Sequence, residues 1–186
     1  MKVIVVILLF LPSIVLADTH IQNLQKHIPA MLDFIESNTQ LEYDDQPYPQ
    51  LIEKNAAEIC RLIYDPPKGP DCDVAGYYDH DLNEIIIIDR PTQFMSDDRF
   101  QEVILLHELV HFLQYTNGIN ETVECRQNLE TTAFELQEIY VDQMGIDPEQ
   151  KPDPLFTLFV SMCPGMMPML GEQWQSFSLV PLLETI

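Results

Sequence analysis

The segment from Arg99 to Tyr115 constrains the fold most strongly, because most of its residues are apolar and recur with a helical period. A helix that is apolar nearly all round has to be buried. The rest of the chain must therefore fold around this helix. Asn117-Gly118 is a typical helix end and predicts that the helix stops there.

The sequence His107-Glu108-Leu109-Val110-His111 puts three ionisable residues into the middle of this apolar helix. Two imidazoles four residues apart lie on one helical face, which suits two ligands of a single Zn²⁺ ion. Glu108 lies beside them, where a carboxylate can accept a proton from a zinc-activated water. The alternative is a pair of hydrogen-bonded core histidines with a salt-bridged glutamate. The nearest basic residues in sequence, Arg99 and Arg126, do not lie on that helix face, and this favours the metal.

A hydrolytic zinc site needs a third protein ligand and an open position. The next predicted helix offers Glu130, which shares a face with Ala133. A small residue there lets this helix approach the motif helix closely, and the glycine bend between the two helices lets them lie antiparallel. Glu130 is therefore the predicted third ligand, and Glu138, which is followed by Asp142 one turn later, is the reserve.

The HELVH motif with a downstream glutamate resembles the gluzincin branch of the zinc metallopeptidases. The 19-residue gap from His111 to Glu130 is close to the spacing usual in that branch, and the likeness extends over residues 76–143. It implies a zincin-like fold in which the two histidines and Glu130 bind Zn²⁺ and Glu108 is the general base. It also implies that the strand at Glu84–Asp89 is the sheet edge that aligns an extended substrate. The chain is also similar to short exported bacterial proteins that carry this motif and whose function is uncharacterised.

The chain departs from the gluzincin pattern at Phe134, where that branch has an acidic residue that orients a ligand histidine. Gln137, Asn128 or a backbone carbonyl would have to orient the histidine instead. No residue is placed by a motif as a stabiliser of the transition state. The aromatic candidates, each of which is also an ordinary packing or surface residue, are Tyr77, Tyr78, His80, Tyr115 and Tyr140.

The remaining pattern predicts an α+β, mostly helical fold in a single domain over residues 18–186. The one predicted β region is a hairpin of Val74–Tyr78 and Glu84–Asp89 packed on the motif helix, and its four consecutive isoleucines suggest a strand covered on both faces. Ser96-Asp97-Asp98 is the predicted start of the motif helix. Helices are predicted at residues 20–38, 49–63, 99–115, 120–143 and 154–162.

The first 17 residues have the pattern of a secretory signal peptide, with Lys2, an apolar run over Val3–Leu11 and a cleavage site after Ala17. The apolar run is shorter than the ~20 residues of a membrane-spanning helix. We therefore expect export, to the periplasm or to the outside of the cell. In an exported chain the four cysteines predict two disulfides. Three pairings are possible, of which we favour Cys60 with Cys72 and Cys125 with Cys163.

The formal net charge of −21 argues against binding to nucleic acid or to an anionic membrane, both of which attract clustered basic residues. After signal cleavage we expect no membrane association, and the expected partner is a peptide or protein substrate. The sequence thus predicts an exported zinc-dependent hydrolase of amide bonds, with Glu108 as general base. A self-processing or cell-wall amidase would share the site. The alternative is a catalytically inactive, zinc-stabilised binding or scaffolding module of the same fold.

Overall fold

The computed structural model describes residues 18–64, 74–89 and 99–163. In these ranges the chain is mixed α/β, with six α-helices and a small three-stranded sheet. The elements are α1 (Asp18–Gln25), α2 (Ile28–Asn38), β1 (Gln50–Lys54), α3 (Ala56–Ile63), β2 (Gly76–Asp79), β3 (Glu84–Ile88), α4 (Phe100–Thr116), α5 (Gln127–Gln143) and α6 (Pro154–Val160), with 3₁₀ turns at Ile119–Glu121 and Pro148–Gln150.

The motif helix α4 is central, as predicted from its apolar composition. Val103, Leu106, Leu109 and Leu113 have no exposed surface. The sheet, α2 and α5 all pack against α4. The predicted helix end is confirmed, because Gly118 has the left-handed φ of 69° that glycine adopts most easily. The predicted start at residues 96–98 lies outside the described residues.

The strand β3 runs through the middle of the sheet, between β1 and β2. It pairs in parallel with β1 and antiparallel with β2. The predicted hairpin is thereby confirmed, and Ile85, Ile86 and Ile87 are buried as expected of a strand covered on both faces. The prediction that β3 is the edge of the sheet was wrong, because β3 is hydrogen-bonded to β1 on one side and to β2 on the other. The edge strand beside the motif helix is β2.

The prediction of one helix over residues 49–63 was wrong in its first half, and so was the prediction that the hairpin is the only β region. Residues 50–54 form β1, and α3 begins after Asn55. The Asn55 side chain accepts from the backbone N–H of Glu58, whose side chain accepts from the Asn55 backbone N–H. This capping box fixes the start of the helix, and the residues before it pair with β3 instead.

Two other predicted helices differ from the observed ones: the first is divided into two helices, and the second begins later than predicted. The helix expected over 20–38 consists of α1 and α2, because Pro29 occupies the first turn of a new helix. The helix expected from residue 120 begins only at Gln127, after the 3₁₀ turn. The short helix expected near 154–162 is present as α6.

The helices α4 and α5 lie antiparallel, as predicted. Glu102 contacts Tyr140 near one end of the pair, and Gln114 donates to the Leu129 carbonyl near the other. Ala133 has no exposed surface where the two helices meet. The small side chain permits this close approach.

The predicted disulfide between Cys125 and Cys163 is present, with 5.7 Å between the two Cα atoms, and it links the start of α5 to the end of α6. The other predicted pair includes Cys72, which lies outside the described residues, as does the predicted signal peptide. Among the described residues, no helix is both long enough and apolar enough to span a membrane.

Candidate metal centre

Three potential ligand atoms converge where α4 faces the start of α5. His107 Nε2 lies 3.1 Å from His111 Nε2 and 3.1 Å from a carboxylate oxygen of Glu130, whose other oxygen lies 3.4 Å from His111 Nε2. Ligand atoms bound tetrahedrally to zinc at 2.0–2.1 Å are about 3.3 Å apart. The spacing therefore fits a metal ion, and the group His107, His111 and Glu130 could hold one.

The charges of these three residues are strongly coupled. Burial opposes the ionisation of Glu130, but the imidazoles of His111 and His107 outweigh burial and hold the pKa of that carboxyl well below its usual range. Burial likewise opposes a charge on His111, but Glu130 dominates and raises the pKa of His111 to about 9. The centre therefore stabilises a positive charge between its side chains, whether a proton or a metal ion supplies it.

Two buried glutamines orient the imidazoles. His107 Nδ1 donates to Gln137 Oε1 at 3.1 Å, and His111 Nδ1 donates to Gln114 Oε1 at 2.8 Å. These hydrogen bonds turn both Nε2 atoms toward Glu130. Gln137 was one of the predicted partners. Gln114 was missed, although a glutamine three residues after His111 in an otherwise apolar helix is a usable signal.

The general-base candidate Glu108 lies on the same turn of α4, only 5% exposed. Burial raises the pKa of this carboxyl, and the backbone N–H of Tyr78 on β2 donates to it. A Cβ on Gly76 would lie 2.5 Å from Glu108 Oε1. Only glycine therefore allows β2 to approach Glu108 this closely, a requirement that the sequence analysis did not detect.

The centre opens into a cleft of about 520 Å³. The cleft is lined by the end of α3, by β2, by α4 and α5, and by the segment from the second 3₁₀ turn to α6. Four of the five aromatic candidates line it: Tyr77, Tyr78, His80 and Tyr115. Tyr140 does not, because it is buried against Glu102 and hydrogen-bonded to it. For Tyr140, the alternative interpretation as a packing residue is the one that agrees with the structure.

The remaining sequence candidates lie elsewhere. The reserve ligand Glu138 and the following Asp142 are exposed and pair with Lys151, at 3.9 and 2.7 Å. Asn128 contacts the sulfur atoms of the disulfide and does not orient a histidine. Phe134, at the position where an acidic residue was expected, packs its ring 4.6 Å from that of His107.

A family model described as a domain of unknown function (DUF6647) matches residues 19–163. The chain belongs to this family. The DUF6647 match begins in α1, ends at Cys163 and contains all three potential ligands together with Glu108. No curated protein and no solved structure matches the chain.

Proposed function

We propose that this protein is an exported, zinc-dependent hydrolase of amide bonds with a zincin-like fold. The observation that carries the proposal is the convergence of His107, His111 and Glu130 beside Glu108 in an open cleft. A purely structural histidine pair has no need for a neighbouring carboxylate that faces a cavity of this size.

The donor set favours zinc. Two imidazole nitrogens and one carboxylate oxygen are the ligands of catalytic zinc sites, in which a fourth position is left for water or substrate. When bound, zinc supplies a Lewis acid that polarises a carbonyl group and lowers the pKa of water. The glutamine partners hold the imidazoles in the tautomer that leaves each Nε2 free to bind it.

Glu108 has the environment of a proton acceptor. Burial raises the pKa of Glu108 toward neutral pH. A carboxylate with a raised pKa is a better proton acceptor, so Glu108 can take a proton from water and pass it to a leaving amine. The N–H of Tyr78 fixes its orientation. Because β2 pairs only with β3 among the described residues, its outer edge can accept an extended peptide along the cleft.

The second candidate is a zinc-stabilised binding module without turnover. One observation favours it: both histidines are oriented by neutral amides. An amide increases the basicity of a ligand imidazole less than a carboxylate does. Such a module would bind zinc and lose thermal stability without it, yet would cleave nothing.

The test compares wild type with Glu108→Gln, both expressed as the full chain into an oxidising compartment and loaded with zinc. Metal content is measured first, and we expect about one zinc per chain in both proteins. Cleavage of a peptide library and of peptidoglycan is then followed by mass spectrometry, which separates a peptidase from a cell-wall amidase. Glu108→Gln should lower turnover by about 10²- to 10⁴-fold. An equally active Glu108→Gln protein would falsify the assignment, and zinc binding without any cleavage would favour the second candidate.

A further inference from the structure

Three side chains that follow one another along one face of α5 line the cleft. Arg126, Glu130 and Phe134 are spaced four residues apart, and Arg126 has helical backbone angles of −58° and −33°, so it continues the periodicity of the helix. Each step of four residues advances about 6 Å along the axis. A positive charge and an aromatic ring therefore lie on opposite sides of the potential metal ligand.

Arg126 is the uncompensated cation of this wall. Its side chain is exposed, and it forms no ion pair or hydrogen bond with the residues that the structure describes. Lys151, which also lines the cleft, is held by Asp142 and Glu138. In a chain with 9 basic and 30 acidic residues, a basic side chain that faces a cleft without an acidic partner is unusual.

The side of the cleft around Arg126 is polar. Burial and Asp79 raise the pKa of Tyr77, while the charge of Arg126 acts in the opposite direction, so the two residues are close enough to interact. His80 and Tyr115 stack with ring centroids 4.5 Å apart on the same side. The hydroxyl group of Tyr77 is therefore a polar neighbour of the guanidinium on this side of the cleft.

The side around Phe134 is apolar. The ring of Phe134 packs between His107 and Phe156, with centroid distances of 4.6 and 6.0 Å. Ile104 and Val160 also line the cleft. The residues around Phe134 thus offer dispersion contacts to a substrate.

We propose that the cleft selects peptides with a carboxylate on one side of the cleaved bond, bound by Arg126, and a large apolar side chain on the other, bound at Phe134. This selectivity rests on the proposed hydrolase function. Arg126 and Phe134 are about 12 Å apart along α5, and an extended chain advances about 3.3 Å per residue. The two recognised groups are therefore three to four residues apart in the substrate, about two on each side of the bond.

The planar guanidinium explains why a carboxylate is the preferred group. It offers paired N–H donors that match the two carboxylate oxygens. A side-chain carboxylate and a C-terminal carboxylate have this chemistry in common. The experiment therefore includes peptides with blocked and with free C-termini.

The zinc-loaded full chain is incubated with a randomised library of acetylated, amidated decapeptides and with the same library bearing free C-termini. Cleavage sites are read by mass spectrometry. We expect Glu and Asp to be enriched about two residues from the bond on one side, and Phe, Leu and Tyr on the other. Enrichment only near free C-termini assigns the carboxylate to the peptide end. No enrichment of an anionic group overturns the proposal, even where cleavage depends on Glu108.

Arg126→Gln is then compared on two matched peptides that differ only by Glu or Gln at the enriched position. Loss of a charge-assisted hydrogen-bonded pair predicts a fall in kcat/KM of about 10- to 100-fold for the Glu peptide and little change for the Gln peptide. Arg126→Glu should shift the preference toward Lys and Arg. Arg61→Gln, the same charge change at an exposed position of α3 outside the cleft lining, is the control and should change neither value. Equal losses on both peptides overturn the proposal.

If no peptide is cleaved, the hydrolase proposal fails, and binding still tests the anion site. The zinc-loaded protein is titrated with fluorescein-labelled Glu and Gln decapeptides that carry Phe three residues away. Tighter binding of the Glu peptide that is lost in Arg126→Gln supports the site. Equal binding of the two peptides, or none, overturns it.

Discussion

Two carboxylates, one buried and one partly buried, lie between the same pair of helices, and their surroundings differ in an instructive way. Glu102 pairs with Arg99 at 3.2 Å and accepts the phenol hydrogen of Tyr140. Glu130 lies against the imidazoles of His107 and His111, whose Nε2 atoms point at it. The first carboxylate is neutralised by an arginine, which keeps its proton, whereas the second is compensated by imidazoles, which can exchange a proton for a metal ion. This difference distinguishes a structural ion pair from a potential metal ligand.

The largest expected effect is on zinc affinity, which should depend on the potential metal ligands and not on the ion pair of Glu102. His107→Ala removes one ligand and should weaken zinc binding by more than the ~100-fold that outer-shell changes reach. Glu102→Gln, which also alters a polar residue of α4 buried against α5, should leave zinc affinity unchanged. Competition with a chromophoric chelator measures both. If Glu102→Gln loses zinc as strongly as His107→Ala does, the two carboxylates do not differ in the way described.

An intermediate effect concerns the glutamines that orient the imidazoles. Gln137→Ala and Gln114→Ala should each weaken zinc binding by about 10- to 100-fold, because the ligand ring loses its hydrogen-bond acceptor. Gln137→Glu supplies a carboxylate instead and should bind zinc at least as tightly as wild type. Gln143→Ala, at an exposed position on α5, is the matched control. A weakened Gln137→Glu protein would show that the amide serves packing and not ligand orientation.

The smallest expected effect is the acid sensitivity of the Glu102 cluster. Burial raises the pKa of Glu102, but the hydrogen bonds from Arg99 and Tyr140 outweigh burial and leave the pKa below its ordinary value. Because the folded pKa is lowered, the stabilisation is complete above the unfolded pKa near 4.5 and is lost as the pH falls through the folded value. Glu102→Gln should therefore reduce the free energy of unfolding by about 1–2 kcal/mol at pH 7.

This difference between Glu102→Gln and wild type should disappear at low pH. Denaturant unfolding of the two proteins at pH 7 and at about pH 3 measures it, in the presence of a chelator so that metal release does not contribute. The same substitution at Glu135, which is exposed on α5, controls for net charge. A difference that persists at low pH would mean that the carboxylate charge is not what stabilises the cluster.

The sequence predicted the candidate ligands because helical periodicity alone determines which residues of α4 and α5 share a face. His107 and His111 follow from their spacing, and Glu130 follows from its register with Ala133. The buried strand β3 followed equally well from its isoleucines. Each of these features depends on residues that are close together in the sequence.

Features that depend on pairing between distant segments were missed. The apolar residues of Gln50–Lys54 fit a helix as well as a strand, and only the parallel pairing with β3 makes this segment a strand. The edge position of β2 depends on the order of all three strands. Gly76 matters because β2 crosses close to Glu108, and Tyr140 points away from the cleft because Glu102 binds it.

The disulfide between Cys125 and Cys163 has a consequence for resistance to proteolysis. It joins two residues 38 positions apart in the sequence, and the loop between them contains α5, the exposed connection after Gly145 and α6. Exposed connections of this kind are the preferred sites of proteolytic nicking. A single cut there would leave α6 covalently tethered beside Arg126, so the nicked protein would retain both walls of the cleft until the crosslink is reduced.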